Sequence, residues 1–265
     1  MHNAVHIIGA GLAGLAAAVR LAGGPRNVVL HEAAWQAGGR CRSYFDSSLG
    51  MTIDNGNHLL LSGNHDALAF LAAIGGADQL SWPCEANFAF IDYRTKERWH
   101  LHPNAGPFPW WIFSPHRRVP ATGARDYLEL LRLLLSSNDM PLDTVLRRRG
   151  MAYQRLWRPF FLAALNTDLA EGSSHLAAGI VWETLARGGR ACRPLVAARG
   201  LSAAFVDPAL AYLVNRGVMV SFEHRLRAIA LANGRVAALD FGEDSVSLEA
   251  ADKVILAVPS YAARE

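Results

Sequence analysis

Gly9, Gly11 and Gly14 fall in a G-x-G-x-x-G spacing, Glu32 follows 21 residues after Gly11, and Gly38-Gly39-Arg40 with Arg42 comes next. Together these residue types suit one kind of chemistry, the holding of a phosphate-bearing nucleotide. Glycine at 9 permits a tight turn, glycine at 11 lets main chain approach a pyrophosphate, and glycine at 14 lets a helix pack closely on a strand. A helix opening here, through Ala10, Leu12 and Ala13, presents unpaired N–H groups and the positive end of its dipole to phosphates. Glu32, with Ala33 beside it, is placed to accept hydrogen bonds from a ribose hydroxyl pair, and its charge disfavours a 2′-phosphate. Gly38 and Gly39 allow close main-chain approach to a second phosphate-bearing group, to which Arg40 and Arg42 offer guanidinium forks.

The elements that must position these residues are readable around them. Val5 to Ile8 is a short apolar run of buried-strand character, an alanine- and leucine-rich helical stretch runs to Leu21, and Gly23-Gly24-Pro25 breaks it. A second strand, Asn27 to His31, ends on Glu32. The glycine triplet alone is a weak signal, but here it follows a strand, opens a helix and precedes an acid at the end of the next strand.

Residues 5 to 42 resemble the flavin amine oxidase and phytoene desaturase superfamily, in which strand, GxGxxG, acid and GGR form the N-terminal FAD site. A narrower likeness runs through IDNGNHLLLSGNHDALAFLAAIG, LAALNTDLAEGSSHLAAGIVWETL and LVAARGLSAAFVDPALAYL, which are similar to the bacterial hydroxysqualene dehydroxylases of hopanoid biosynthesis. The resemblance implies FAD as cofactor and an isoprenoid lipid as substrate, hydroxysqualene being reduced to squalene by hydride from reduced FAD. It also implies that Asp54, Gly56, Asn57 and His58 line the isoalloxazine end of the site. A backbone amide near Leu226 is expected to approach the adenine. His58 is the one candidate, by position only, for a catalytic acid, although a lone histidine after an Asn-Gly turn is more often a structural hydrogen-bonding residue than a catalyst. A carotenoid-type desaturase, a flavin amine oxidase and an inert FAD-binding fragment stay open beside the main reading. The family continues beyond the point where this chain ends, with a second glycine-bearing FAD segment. The resemblance therefore implies a C-terminally truncated chain, an exposed sheet edge, and dependence on that segment or on a complementing polypeptide.

The implied fold class is α/β, a Rossmann-like, doubly wound FAD-binding domain with an inserted mixed α+β substrate domain. Its expected parts are residues 1–80, a substrate domain over 81–200, and a returning FAD part over 201–265. The pattern FAFIDYRTKERWHL reads as a β-hairpin, and Tyr127 to Leu135 as a helix with Leu128, Leu131, Leu134 and Leu135 in register. Ser43 to Leu49 reads as turn-like, the run around Asn233-Gly234 as a hairpin, and Asp252 to Pro259 as a buried strand.

With 265 residues, 51% of them hydrophobic, the chain can bury a sizeable core. A net charge of +3 gives no argument for a nucleic-acid partner. Cys41, Cys84 and Cys192 are odd in number and far apart, which excludes a disulfide framework and a zinc ribbon and fits a reducing cytoplasm. His58 with His65, and His100 with His102, lack a third ligand at metal-site spacing, so no metal is expected. No stretch reaches the ~20 apolar residues of a membrane span. Aromatic and leucine helices next to arginine clusters, such as Arg117-Arg118 and Arg147-Arg148-Arg149, suit contact with the inner face of a membrane, although such stripes are also ordinary core and solvated faces.

Overall fold

The computed structural model describes residues 4–56, 59–147 and 150–264. They form two compact units, one of Met1–His58, Asp66–Ser81 and Ala197–Glu265, the other of Leu59–His65 and Trp82–Val196.

The first unit is organised on a parallel sheet. Strand β1 (Ala4–Ile8) is buried along its whole length and lies between β2 (Asn27–His31) and the strand Lys253–Leu256; Met219–Ser221 pairs with the outer side of β2. Helix α1 (Leu12–Leu21) buries Gly14, Leu15, Ala18 and Val19. Strand alternation puts His6 and Ile8 on the face opposite α1. That face is covered by an antiparallel meander of Ala228–Ala232, Arg235–Asp240 and Ser245–Ser247, with Ile8, Leu239 and Phe241 forming the buried contact. Asn233 and Gly234 both take positive φ, 52° and 72°, which is the twist a two-residue hairpin turn demands. The α/β layer order expected from the sequence is present.

Two local expectations of this unit change. Ser43–Asp46 is a strand, paired antiparallel with Met51–Asp54. Its polar residues had suggested a loop, but Asp46 makes the turn itself, its carboxylate accepting the N–H of Ser48 and Leu49, with Gly50 at φ 64°. The strand Lys253–Leu256 lies at the sheet edge, half-buried, with Lys253 and Leu256 exposed.

The second unit is mixed α+β. A hairpin joins Phe88–Ile91 to Arg98–Leu101, and four helices, Glu129–Leu134, Leu142–Val145, Arg158–Leu165 and Ser174–Glu183, pack with it around one core. Trp157 and Phe161 are wholly buried there, and Trp111, Tyr127 and Trp157 meet edge to face at 5.1 and 5.7 Å. The Tyr127 hydroxyl accepts the Val119 N–H at 2.9 Å, so the segment from 124 starts as a tight turn and becomes α-helical only at Glu129. Leu133 is buried and Leu134 packs against the core, while Leu128, Leu131 and Leu135 are exposed, so the expected leucine stripe is split between the two faces of the helix. Asn166, at φ 51°, ends the helix Arg158–Leu165 as a left-handed cap. Among the described residues no helix is long and apolar enough to cross a membrane.

Candidate functional site

Strand β1 delivers the chain to Gly9, whose φ of 102° turns it back sharply; the Gly9 N–H donates to His31 O at 2.7 Å, anchoring the turn to β2. A Cβ at Gly14 would lie 1.8 Å from Gly9 O, so helix and turn touch through main chain. A Cβ at Gly11, by contrast, would meet nothing within 4 Å. The first bond of α1 runs from Leu15 N–H to Gly11 O, so the amides ahead of it have no helical acceptor, and Leu12 and Ala13 are exposed. The result is an open, donor-rich surface of the kind that receives phosphate.

The second glycine segment comes to the same place. Gly38 N–H donates to Ala10 O at 2.8 Å, Gly11 and Gly38 bridge in parallel, and a Cβ on Gly39 (φ 54°) would stand 3.4 Å from the Gly11 Cα. The GxGxxG turn and the GGR loop thus form one surface. Arg40 is exposed and Arg42 half-buried, and neither guanidinium has an acid partner among the described residues.

Glu32 stands across from the turn. One carboxylate oxygen accepts the Ala10 N–H at 2.7 Å and the other the Ala34 N–H at 2.9 Å, with Ala33 exposed between them. Each oxygen retains a further lone pair for a ligand hydroxyl.

Asp54 has structural partners. Its Oδ1 accepts the Ser43 hydroxyl at 2.6 Å and the Leu201 N–H at 2.8 Å, while Ser43 and Ser202 exchange two bonds, side chain to main chain, at 2.8 and 2.9 Å. Gly200, at φ 91°, fits against this knot; a Cβ there would be 2.8 Å from the Ser43 hydroxyl oxygen. Asp54 therefore caps the helical stretch that leads into Asp207–Val214 and holds the end of its own strand. Gly56 follows that strand end, and Leu226 packs on the meander core beside Ile8. Asn57 and His58 lie outside the described residues.

One cluster had no local sequence signal. His6 Nδ1 lies 3.0 Å from His31 Nε2, His31 Nδ1 lies 2.9 Å from His224 Nδ1, and His224 Nε2 lies 2.9 Å from Asp244 Oδ1. Phe241 stacks on His31 and His224, at 4.8 and 3.7 Å between ring centroids. One tautomer set satisfies every contact with neutral rings: each histidine donates outward, toward Asp244. Burial, then the charges of His6 and His224, pulls the His31 pKa down to about 4, with Asp244 opposing. His6 is lowered by burial, with Asp252 opposing. The chain backs the Glu32 turn directly, since His224 N–H donates to Glu32 O at 2.8 Å. Its members come from four separated segments, so no spacing rule could have found it.

The cysteines offer no nucleophile in the buried positions: burial, first of all, pushes the Cys41 thiol up to about 11 and the Cys192 thiol up to about 12. Among the described residues no group of three or more His, Cys, Asp or Glu side chains is placed to hold a metal.

The sequence is similar to a hydroxysqualene dehydroxylase of Rhodopseudomonas palustris, 51% identical over 260 residues, covering 98% of this chain and 62% of that protein. It is similar to another from Sinorhizobium fredii, 48% identical over 263 residues, covering 99% of this chain and 63% of that protein. The chain thus spans less than two thirds of the length of these relatives. Its fold is similar to that of an oxidoreductase from Methanosarcina mazei, with a TM-score of 0.64 at 16% identity, covering 96% of this chain and 58% of that one. Residues 12–265 match the family described as flavin containing amine oxidoreductase, and the chain belongs to that family.

Proposed function

We propose that this chain carries the FAD-binding surface of an oxidoreductase that acts on an isoprenoid lipid, reducing hydroxysqualene to squalene. The observation that supports it most is the joint surface of the two glycine segments, with Glu32 fixed opposite. The open side of Gly11, where an added Cβ would meet no other segment within 4 Å, is where the FAD diphosphate would approach. In this reading Gly9, Ala10, Gly11, Leu12, Ala13 and Gly14 receive the diphosphate on main-chain N–H groups. Glu32 and Ala33 hold the adenosine ribose, and Gly38, Gly39, Arg40 and Arg42 neutralise the other side. Reduced FAD, when bound, supplies the hydride. Asp54 holds Gly56 and its strand against the capped helix, and Leu226 closes the adenosine side from the meander. Relatives at 46–51% identity named for hydroxysqualene dehydroxylation favour this substrate over a polyene precursor or an amine.

Substrate delivery is proposed to use a lipid surface, supported by the outward Leu128, Leu131 and Leu135 and by exposed Phe108, Trp110 and Phe113 near Arg117 and Arg118. The test of the main reading is to add FAD to the purified chain, desalt it and record the visible spectrum. Flavin absorbance retained at about one per chain supports it, whereas complete loss from a folded chain rules out this surface as a sufficient FAD site. Co-sedimentation with lipid vesicles tests the surface contact.

A further inference from the structure

The second unit holds a cavity of about 500 Å³ that the flavin reading does not use, lined by Arg117, Arg190, Arg193, Trp110, His102 and Glu85 among others. Its frame is rigid for a reason visible in the main chain. Gly189 N–H donates to Asn104 O at 2.7 Å and Arg190 N–H to Ala105 O at 3.2 Å, locking two loops back to back. A Cβ at Gly188 would lie 2.1 Å from Gly106 O, so only glycine permits that approach. Buried Asn104 donates to Gly106 O and Phe108 O and accepts the Trp111 N–H, fixing the loop that carries Trp110.

The charges around this frame are unbalanced. Three arginines face one carboxylate, and that one, Glu85, is engaged by His102 Nε2 at 2.8 Å. The Arg117 guanidinium lies over the Trp110 ring at 4.7 Å and donates to His102 O at 3.4 Å. Arg190 is exposed and has no hydrogen bond or ion pair from its side chain among the described residues. Arg193 lies over Trp82 at 5.8 Å, and its Nε is buried without a hydrogen-bond partner. A buried N–H left without an acceptor is costly, and such groups in native proteins ask for an explanation. A guanidinium fork matches the oxygens of a phosphate better than any other common anion-binding side chain does.

We propose that the cavity framed by Arg117, Arg190 and Arg193 binds a phosphate group, as free phosphate or diphosphate or as the phosphate monoester headgroup of a lipid. The site takes two of its arginines from the 190–193 turn and one from the 103–118 loop, and it stands independently of the flavin reading. The exposed Phe108, Trp110 and Phe113 of that loop place apolar side chains near the cationic rim, so a lipid headgroup is chemically compatible.

The test uses the full chain and three probes: inorganic pyrophosphate, inorganic phosphate, and phosphatidylcholine vesicles with and without phosphatidic acid. Calorimetric titration with pyrophosphate is expected to show one saturable site, reported also by tryptophan fluorescence because Trp82 and Trp110 lie under the arginines. The Arg190→Ala/Arg193→Lys pair, which keeps one positive charge and the aliphatic stem at 193, is expected to weaken binding about tenfold or more with unchanged circular dichroism. Arg132→Ala, on an exposed helix position of the same unit, controls for general loss of charge. Phosphatidic-acid-dependent sedimentation that the double variant loses identifies a headgroup source; pyrophosphate binding without any gain from phosphatidic acid identifies free phosphate. Absence of saturable binding to all three probes, or equal weakening by Arg132→Ala, overturns the proposal.

Discussion

The glycine surface of the first unit and the arginine cavity of the second use opposite materials. In the first, main-chain N–H groups line the surface proposed for FAD, and the side chains matter mostly by being absent: a Cβ at Gly14 would stand 1.8 Å from Gly9 O. In the second, the main chain is spent on locking two loops together, and long cationic side chains face the cavity. The first arrangement is stiff and intolerant because no rotamer can relieve a main-chain clash. The second is adjustable, since an arginine can move or be replaced without disturbing the loops beneath it. Substitutions at the glycines of the first surface should therefore damage folding, and substitutions at the arginines of the cavity should damage binding alone.

The largest effect expected is from Gly14→Ala. The new methyl has to displace Gly9 O, and we expect a loss of about 3 kcal/mol or more in urea denaturation together with loss of flavin retention. A stability change under ~1 kcal/mol would show that the helix–turn contact is more tolerant than its geometry implies.

Acid titration sharpens the contrast by testing the layer behind Glu32. His31 has its pKa pulled down from an ordinary 6.5 to about 4, so the unfolded chain takes up a proton that the folded chain resists. The contribution of its neutral form is full above pH 6.5 and is lost as pH falls toward 4, a difference of roughly 3 kcal/mol. Urea midpoints measured from pH 7 to pH 4 should fall steeply, and His31→Leu should flatten the fall. A slope that survives that substitution would place the proton uptake elsewhere.

Arg155 provides the matching test in the second unit. Its guanidinium, only 11% exposed, reaches Glu97 at 2.6 Å and Asp92 at 3.4 Å and lies over Trp99, tying the hairpin to the helical part. Arg155→Met should cost about 2 kcal/mol, less than a fully buried pair because Glu97 stays 40% exposed. Near-wild-type thermal stability would show the tie to be dispensable.

Glu32→Gln is expected to be milder still for the fold. Glutamine keeps one acceptor for Ala10 or Ala34 and loses the other, together with the charge, so FAD affinity should drop by about 1–2 kcal/mol while the melting temperature changes little. An unaltered dissociation constant would detach Glu32 from the ribose. The smallest effect belongs to Leu135→Ser. Leu135 is 81% exposed, and its replacement should leave stability within ~0.5 kcal/mol. If it also reduces vesicle sedimentation, the leucine face touches lipid.

Much of the first unit was legible in the sequence because its rules are local. Val5 to Ile8, the glycine spacing and Glu32 each report a main-chain requirement within a few residues of where it applies, and the Asn233-Gly234 turn does the same for the meander. Polar composition misled at Ser43–Asp46, where an aspartate makes the turn of a hairpin; leucine periodicity at 128–135 pointed to the helix found at Glu129–Leu134 but not to its rotation, which puts Leu133 in the core.

The sequence by itself determined where main chain must bend, pack closely on itself and begin a helix, since those demands are met by residue types at fixed spacing. Only the tertiary structure decided that Gly38 lies on Ala10, that Asp54 caps a helix 147 residues further on, that three histidines and Asp244 form one chain, and that Arg117, Arg190 and Arg193 line one cavity. Such contacts arise when the sheet and the loops close. Side chains distant along the chain then become neighbours, and no periodicity along the chain encodes that.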